Sequence, residues 1–405
     1  MVLKSFISLI LTGATIACTA QLNTETDPNI PVSAKSYIKS LNAPAGDLFK
    51  VIKNNEYTPV KNQGMTGTCW AFSTTAVVES KVVKEKQLLP DVSEMFTVRQ
   101  MYIEKARNYV LRQGNARFSE GGLGHDLIHA MATYGAIPES IYSGLPGKST
   151  MHNHAKLFSS LKLYLDNCIA TKTKGDKKDD GKTTENWKAG FMKILDNYLG
   201  VPPQQFKYNG QNYTPKTFAT DFLGFKEDDY VNLTSFTHHP FYKPFILEVP
   251  DNFSNGAYYN LPIDTLTDVV KNALKNGYTV LWDADVSNKG FNQQTGLAMF
   301  FGDREIASDK EKLNPDATES KWDVDNRQGL FEDLVTQDDH LMQITGIETS
   351  PRGKTFFIVK NSWGNTGPYK GFIHVSEAYF GMNTISLVVP KAGIPKVIKE
   401  KLNIH

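Results

Sequence analysis

The stretch VKNQGMTGTCWAFSTTAVVES, residues 60–80, decides how the chain folds around its candidate site. It places Gln63 six residues before Cys69, and the run from Cys69 to about Lys86 carries apolar residues on one side, with charges gathering late. This pattern predicts a partly buried helix that begins at the cysteine. Because unpaired N–H groups and the helix dipole favour negative charge at a helix start, the thiol of Cys69 is a candidate nucleophile.

The first twenty residues have the layout of a secretory leader. Lys4 is their only charge, an apolar run follows from Phe6, and small residues end the segment. The apolar run is too short to anchor the mature protein in a bilayer. We predict cleavage before Gln21, and acylation of Cys18 as a bacterial lipoprotein is the alternative left open. Both outcomes predict an exported protein, periplasmic or extracellular.

The composition is that of an ordinary globular protein. The chain has 405 residues, 40% of them hydrophobic, with 44 Lys and Arg against 43 Asp and Glu. A nearly neutral chain gives no electrostatic reason to expect nucleic acid or an anionic membrane as a partner. Without the leader only Cys69 and Cys168 remain, so no disulfide framework is expected. Cys168 lies in a segment with helical spacing and is predicted to be a buried, inert thiol.

Helical patterns dominate the first half of the chain and strand patterns the last third, which predicts an α+β protein with two lobes. We divide it into the leader (1–20), an N-terminal arm and helical lobe with the candidate nucleophile (21–149), a helical insertion (150–240) and a β-rich lobe with a C-terminal tail (241–405). The segment TKTKGDKKDDGKTTE (171–185), mixed in charge and punctuated by glycine, is predicted to be a solvated loop.

A thiol nucleophile needs a histidine to exchange its proton and a third group to orient the imidazole. TQDDHLMQITGI supplies His340 at the start of a predicted strand, and FFIVKNSWGNTG supplies Asn361 at the end of the next one. Two adjacent strands bring such side chains together, so Cys69, His340 and Asn361 form a candidate catalytic set.

Three blocks, NQGMTGTCWAFS, DDHLMQITG and KNSWG, resemble the active-site blocks of the papain superfamily of cysteine peptidases. The resemblance implies a papain-like fold with a helical lobe and a β-barrel-like lobe, peptide substrates and no cofactor. It implies that Cys69 is the nucleophile, held as a thiolate beside an imidazolium, that His340 is the acid and base, and that Asn361 orients it. Gln63 and the backbone N–H of Cys69 would form the oxyanion hole, a role suited to a neutral donor.

Two further matches extend the resemblance. Gly121 and Gly122 are similar to the glycine pair that lines the substrate cleft of the superfamily, and Trp363 to the residue that shields the His–Asn hydrogen bond from water. We therefore assign these three residues to the substrate-binding region.

The spacing narrows the resemblance to one branch. His340 follows Cys69 by about 270 residues, whereas papain-type enzymes have about 130–150. The inserted text and the tail VVPKAGIPKVIKEKL resemble bleomycin hydrolase and aminopeptidase C, which implies aminopeptidase action and a homo-hexamer. In that branch the C-terminal carboxylate holds the substrate amino group. The tail that ends at His405 is shorter than the branch's, so endopeptidase action is the alternative if the tail falls short of the cleft.

HDLIH places His125 and His129 on one helical face and invites a metal interpretation. Zinc proteases with that spacing use a glutamate after the first histidine, here the shorter Asp126, and no third ligand follows. We predict no metal site.

Two functions of other classes remain as alternatives. An inactive homologue would use the cleft to bind peptides, but the intact set of catalytic side chains argues against it. A Cys–His acyltransferase of transglutaminase type would require an aspartate in place of Asn361 and gives no role to Gln63.

Overall fold

The computed structural model describes residues 48–147, 149–173, 186–302 and 314–404. The predicted leader with Cys18, the N-terminal arm, most of the predicted solvated loop and His405 lie outside the described residues. Among the helices that are described, none combines the length and the apolar character needed to cross a membrane.

Nine helices of seven residues or more form the helical part of the described chain and its supports. They are α1 (Cys69–Lys86), α2 (Glu94–Leu111), α3 (Gly124–Tyr134), α4 (Ala155–Thr173), α5 (Asn186–Leu199), α6 (Ile263–Lys275), α7 (Val324–Glu332), α8 (Glu377–Asn383) and α9 (Lys396–Leu402). A single α-turn, Pro215–Thr217, runs into a π-helix, Phe218–Leu223. The predicted start of α1 at Cys69 is confirmed, and so is the Ser93 cap of α2, whose Oγ accepts the Phe96 N–H at 3.1 Å.

The strands of the described chain form one large mixed sheet and one separate hairpin. They are β1 (Lys50–Asn54), β2 (Phe206–Tyr208), β3 (Gln211–Tyr213), β4 (Tyr230–Thr234), β5 (Pro244–Ile246), β6 (Ala257–Asn260), β7 (Val280–Ala284), β8 (Phe291–Asn292), β9 (Leu297–Ala298), β10 (His340–Thr349), β11 (Thr355–Lys360), β12 (Phe372–Ser376) and β13 (Thr384–Pro390). The large sheet has the order β5-β6-β4-β13-β7-β10-β11-β12-β9-β8, with β1 paired to β10. Helices first and strands later confirm the predicted α+β class.

Helix α1 lies between the helical lobe and the sheet and joins them. Every residue from Cys69 to Ser80 is buried, so the prediction of a one-sided, partly buried helix was wrong in extent. Small polar residues on α1 hid this burial in the sequence. They face the sheet, where Ser73 Oγ donates to Leu341 O at 2.5 Å and Gln343 Nε2 donates to Ser80 Oγ at 2.8 Å. These bonds fix the first turns of α1 against the start of β10.

The predicted helical insertion, 150–240, contains strands as well as helices. Helices α4 and α5 pack on the core of the helical lobe, and Cys168 in α4 is partly buried against that core, not fully buried as predicted. The segment also contains the β2–β3 hairpin and β4, which pairs with β13 in the main sheet. The lobe boundary therefore falls before β4, a strand too short to stand out by alternation alone.

The C-terminal tail ends on the sheet lobe. Ile398 and Leu402 of α9 are buried in the core around α6 and the sheet, and Ile404 packs partly against it. The N–H of Ile404 returns to Lys399 O at 3.0 Å, which turns the chain back at the end of the helix. None of the described tail residues lines the cavity beside Cys69.

Glycine at position 124 sets how closely α3 approaches the sheet. A β-carbon there would lie 2.1 Å from Leu281 Cδ2 and 2.7 Å from Val388 Cγ2. We expect Gly124→Ala to lower the free energy of unfolding by about 1–3 kcal/mol because the sheet must shift. Gly329→Ala in α7, where no atom lies within 4 Å, is the matched control and should be neutral or stabilising by up to about 1 kcal/mol. Urea denaturation measures both, and equal midpoints would contradict the steric argument.

Candidate active site

Cys69 occupies the first turn of a helix, as the sequence predicts, and is buried at 8% exposure. Its sulfur lies within hydrogen-bonding reach of the backbone N–H groups of Trp70 and Leu341. Because Leu341 follows His340 directly in β10, this contact brings the thiol from the helical lobe to the residue beside the candidate base.

His340 opens β10 and Asn361 follows the last residue of β11, so the two side chains meet at one edge of the strand pair. The distance from His340 Nε2 to Asn361 Oδ1 is 2.7 Å. Asn361 Oδ1 also accepts the Ser362 N–H at 2.7 Å, and Asn361 Nδ2 donates to Gln293 Oε1 at 3.0 Å. With the amide fixed in this orientation, His340 carries its proton on Nε2, which leaves the lone pair on Nδ1 for use as a base.

Trp363 covers this hydrogen bond. Its ring stacks on the His340 imidazole with centroids 4.6 Å apart and planes 26° apart, and Phe291 meets its edge at 6.1 Å. An apolar cover lowers the local dielectric constant and strengthens the hydrogen bond beneath it. The geometry matches the shielding role that the resemblance implies.

Gln63 is held by the same segment that holds His340. Ser362 Oγ donates to Gln63 Oε1 at 2.6 Å, and the Gln63 backbone N–H donates to Ser362 O at 2.9 Å. Gln63 Nε2 donates one proton to Thr66 O at 2.7 Å, and an amide nitrogen has a second proton to offer. Gln63 is thus buried and oriented, with one N–H available for an oxyanion.

The glycine pair forms the floor of a cleft. A β-carbon at Gly122 would lie 3.1 Å from the Trp70 ring, and one at Gly121 only 1.8 Å from Asp251 Oδ2. Beneath them Lys105 Nζ donates to the carbonyl oxygens of Ser119, at 3.0 Å, and Gly121. Only glycine permits Asp251 to lie this close.

The cleft beside Cys69 has a volume of about 460 Å³. Its wall carries carboxylates that the sequence analysis did not single out: Glu120, Asp251, Asp338 and Asp339. Asp338 and Asp339 open the DDHLMQITG block beside His340, whereas no local motif marks Glu120 or Asp251, which the cleft brings in from distant segments of the chain. Gln293 and Ser362, which orient Asn361 and Gln63, were also missed for the lack of a sequence signal.

Burial governs the protonation of the candidate pair. It raises the pKa of the Cys69 thiol to about 12, although the N–H groups of Leu341 and Trp70 oppose the shift. Burial also lowers the pKa of His340 to about 4, opposed by the Asn361 hydrogen bond. Burial therefore opposes the thiolate–imidazolium pair expected from the sequence, whereas the N–H groups at the helix start and the Asn361 hydrogen bond favour it.

The nitrogens of the HDLIH histidines have side-chain partners. His125 Nδ1 lies 2.8 Å from Tyr258 Oη and its Nε2 lies 2.8 Å from Ser254 Oγ. His129 lies 3.3 Å from both Glu227 and Thr133. These contacts give both histidines structural roles, and His125 supports the loop that carries Asp251.

Another cluster, His238, His239 and Glu248, has metal-ligand chemistry, with its ligand atoms within 4.8 Å of one another. Gln328 Oε1 accepts the Thr237 N–H at 2.7 Å, so Gln328 Nε2 donates to His238 Nδ1. His238 then carries its proton on Nε2, the nitrogen that faces Glu248. The geometry fits a histidine–carboxylate hydrogen bond rather than a metal ligand set.

The chain is similar to known cysteine peptidases in sequence and in fold. The model of the Peptidase C1-like family matches residues 108–405, and that of the papain family of cysteine proteases matches residues 47–102. Aminopeptidase C of Lactobacillus delbrueckii subsp. lactis is 25% identical over 386 residues, covering 84% of this chain and 81% of that protein. Mitochondrial cysteine proteinase 1 of Saccharomyces cerevisiae (strain JAY291) is 24% identical over 397 residues, covering 87% and 79%. The crystal structure of PepW from Lactobacillus rhamnosis HN001 has a TM-score of 0.69 at 21% identity, covering 91% and 86%, which shows the papain-like fold.

Proposed function

The chain belongs to the Peptidase C1-like family and is a cysteine-type peptidase, and we propose that it releases amino-terminal residues from peptides through a thioester acyl-enzyme. The observation that carries the proposal is the oriented His340, whose Nε2 lies 2.7 Å from Asn361 Oδ1 and whose neighbour in β10, Leu341, has its backbone N–H within reach of the buried thiol of Cys69. The relatives named aminopeptidase C support the proposal that cleavage takes place at the amino terminus of the peptide.

In the first half of the reaction Cys69 Sγ attacks the scissile carbonyl carbon as its proton passes to His340 Nδ1. Because burial favours the neutral thiol and imidazole, this proton transfer accompanies the attack. The oxyanion is held by Gln63 Nε2 and the backbone N–H of Cys69, a contribution of about 3–4 kcal/mol for each such donor. The C–N bond then breaks, and His340 gives the proton to the leaving amine.

In the second half water hydrolyses the thioester. His340 takes a proton from the water as it attacks the acyl carbon, and returns it to Cys69 Sγ as the C–S bond breaks. Asn361 keeps the imidazole in one plane throughout, and Trp363 keeps water away from the His340–Asn361 bond.

The test compares fluorogenic peptides with a free amino group against the same peptides N-acetylated. We expect kcat/KM for the free-amine form to be higher by about tenfold or more. A preference for blocked peptides, with cleavage inside the chain, would instead establish the endopeptidase alternative. Failure of an epoxide thiol inhibitor to label Cys69, together with no turnover of any peptide, would favour the inactive peptide-binding homologue.

We also propose that the protein is exported, because residues 1–20 have the composition of a secretory leader. Mass spectrometry of the mature N-terminus checks this: a chain that begins at Gln21 fits simple cleavage, and an acylated Cys18 fits a lipoprotein. An intact Met1 would contradict both. The hexamer implied by the family resemblance stays a prediction.

A further inference from the structure

Lys105 is a buried lysine of α2 that the proposed reaction does not use. It is 2% exposed, and it is not among the described residues that line the cleft beside Cys69. Burying an ammonium group costs free energy unless the group is well paired. Its Nζ donates to the carbonyl oxygens of Ser119, at 3.0 Å, and Gly121. The charge of this lysine is therefore directed at the backbone beneath the glycine pair.

The segment 119–122, which we call the cleft floor, is held from two helices. Lys105 on α2 binds the first and third carbonyls of the segment. Trp70 on α1 binds the carbonyl between them, since its Nε1 donates to Glu120 O at 3.1 Å. The floor belongs to no helix or strand, so these side-chain bonds are what fix the direction of its peptide groups.

Lys105 thereby sets the direction of two backbone N–H groups. The described chain has no cis peptide bond, and in a trans peptide the N–H points away from the preceding C=O. Because the Gly121 carbonyl points down to Lys105, the N–H of Gly122 faces the opposite side, which is that of the cleft. The Ser119 carbonyl directs the N–H of Glu120 in the same way.

The N–H groups of Glu120 and Gly122 have no acceptor among the described residues. Gly122 is a buried residue, and a buried backbone N–H without a partner is rare in a folded protein. A peptide in the cleft offers carbonyl oxygens as acceptors. A bond from an ammonium group to the carbonyl oxygen also polarises the peptide group and makes its N–H a stronger donor.

Neutralising nearby acids does not account for the place of Lys105. Burial lowers the pKa of Lys105, and the carboxylates of Asp126 and Asp251 oppose this shift. Both carboxylates have other partners, because Asp126 Oδ1 accepts from Ser254 Oγ at 2.7 Å and Asp251 Oδ1 lies 3.5 Å from Arg117 Nε. The lysine nitrogen is hydrogen-bonded to carbonyl oxygens instead.

Resting on the reaction proposed at Cys69, we infer that Lys105 is a positioning residue, which turns the N–H groups of the cleft floor toward the backbone carbonyls of a bound peptide. It acts through Gly122 and Glu120 and does not itself touch the peptide. Its loss should therefore weaken the binding of a peptide and leave the reactivity of the thiol unchanged.

The test measures inactivation of wild type and Lys105→Met by two reagents that alkylate thiols, followed at Cys69 by mass spectrometry. An epoxysuccinyl-leucyl amide presents peptide carbonyl groups to the cleft floor, whereas iodoacetamide carries no peptide chain. We expect Lys105→Met to raise KI for the epoxide by about tenfold, with kinact within about a factor of three of wild type. The iodoacetamide rate should be unchanged. Lys275→Met, exposed on α6, is the matched control and should behave as wild type with both reagents.

Lys105→Gln provides a second variant, because its amide keeps N–H donors on a shorter, neutral side chain. We expect its KI to lie between those of wild type and Lys105→Met, and circular dichroism checks the fold of each variant.

The outcomes separate this inference from the proposed function. If iodoacetamide labels Cys69 of the wild type and the epoxide does not, both are overturned. If the epoxide labels the wild type and both folded variants keep its KI, only the positioning role is overturned. An equal fall in the rates of both reagents, or loss of the fold in both variants, would show that Lys105 acts on stability alone and would also overturn that role.

Discussion

Replacing Cys69 with alanine is expected to abolish peptide hydrolysis and to leave the fold intact. Cys69 carries the only thiol among the described residues that line the cleft, and loss of a catalytic nucleophile costs about 10⁴-fold or more in kcat. Removing one sulfur atom from the start of α1 leaves the buried helix and the bonds of Ser73 and Ser80 to β10 in place. Hydrolysis of a free-amine fluorogenic peptide measures the loss, and thermal unfolding checks the fold.

Cys168→Ala is the matched control for this experiment. Cys168 is the other described cysteine, partly buried in α4 and away from the cleft. The variant should keep wild-type kcat, so that any general effect of removing a thiol is accounted for. Peptidase activity that survives in purified Cys69→Ala, above the level of a mock preparation, would refute the assignment of Cys69.

Much of the candidate site could be predicted because its residues lie in short sequence segments whose secondary structure follows from local patterns. The helix start at Cys69 and the Ser93 cap follow from local patterns. His340 and Asn361 sit at opposite ends of two consecutive strands, so antiparallel pairing alone brings them together. Local structure and neighbouring strands are what a single sequence constrains best.

The parts that could not be predicted depend on contacts between distant segments. Asp251 reaches the glycine pair from about 130 residues away, and Gln293 orients Asn361 from a loop without a recognisable pattern. Small polar residues such as Ser73 hid the full burial of α1, because their hydrogen bonds to β10 exist only after the lobes pack. The pKa of Cys69 depends in the same way on burial, which opposes the helix-start effect that the sequence suggested.

Gln63→Ala, in the proposed oxyanion hole, is expected to lower kcat by about 10²–10³-fold. Gln63 Nε2 has one proton engaged by Thr66 O, and its second is the donor proposed for the oxyanion. Because the oxyanion exists in the transition state and not in the bound peptide, the loss should fall on kcat and leave KM within about a factor of three.

Ser362→Ala tests how the Gln63 amide is positioned, separately from the hydrogen bond that this amide donates to the oxyanion. Ser362 Oγ donates to Gln63 Oε1 at 2.6 Å and so fixes the amide without touching the substrate. Its loss lets the amide rotate, and we expect a smaller fall in kcat, about tenfold, again with KM little changed. Gln204→Ala, exposed in the loop before β2, controls for the loss of a glutamine. A fall in kcat of less than tenfold for Gln63→Ala, or a loss carried mainly by KM, would show that the oxyanion is stabilised elsewhere.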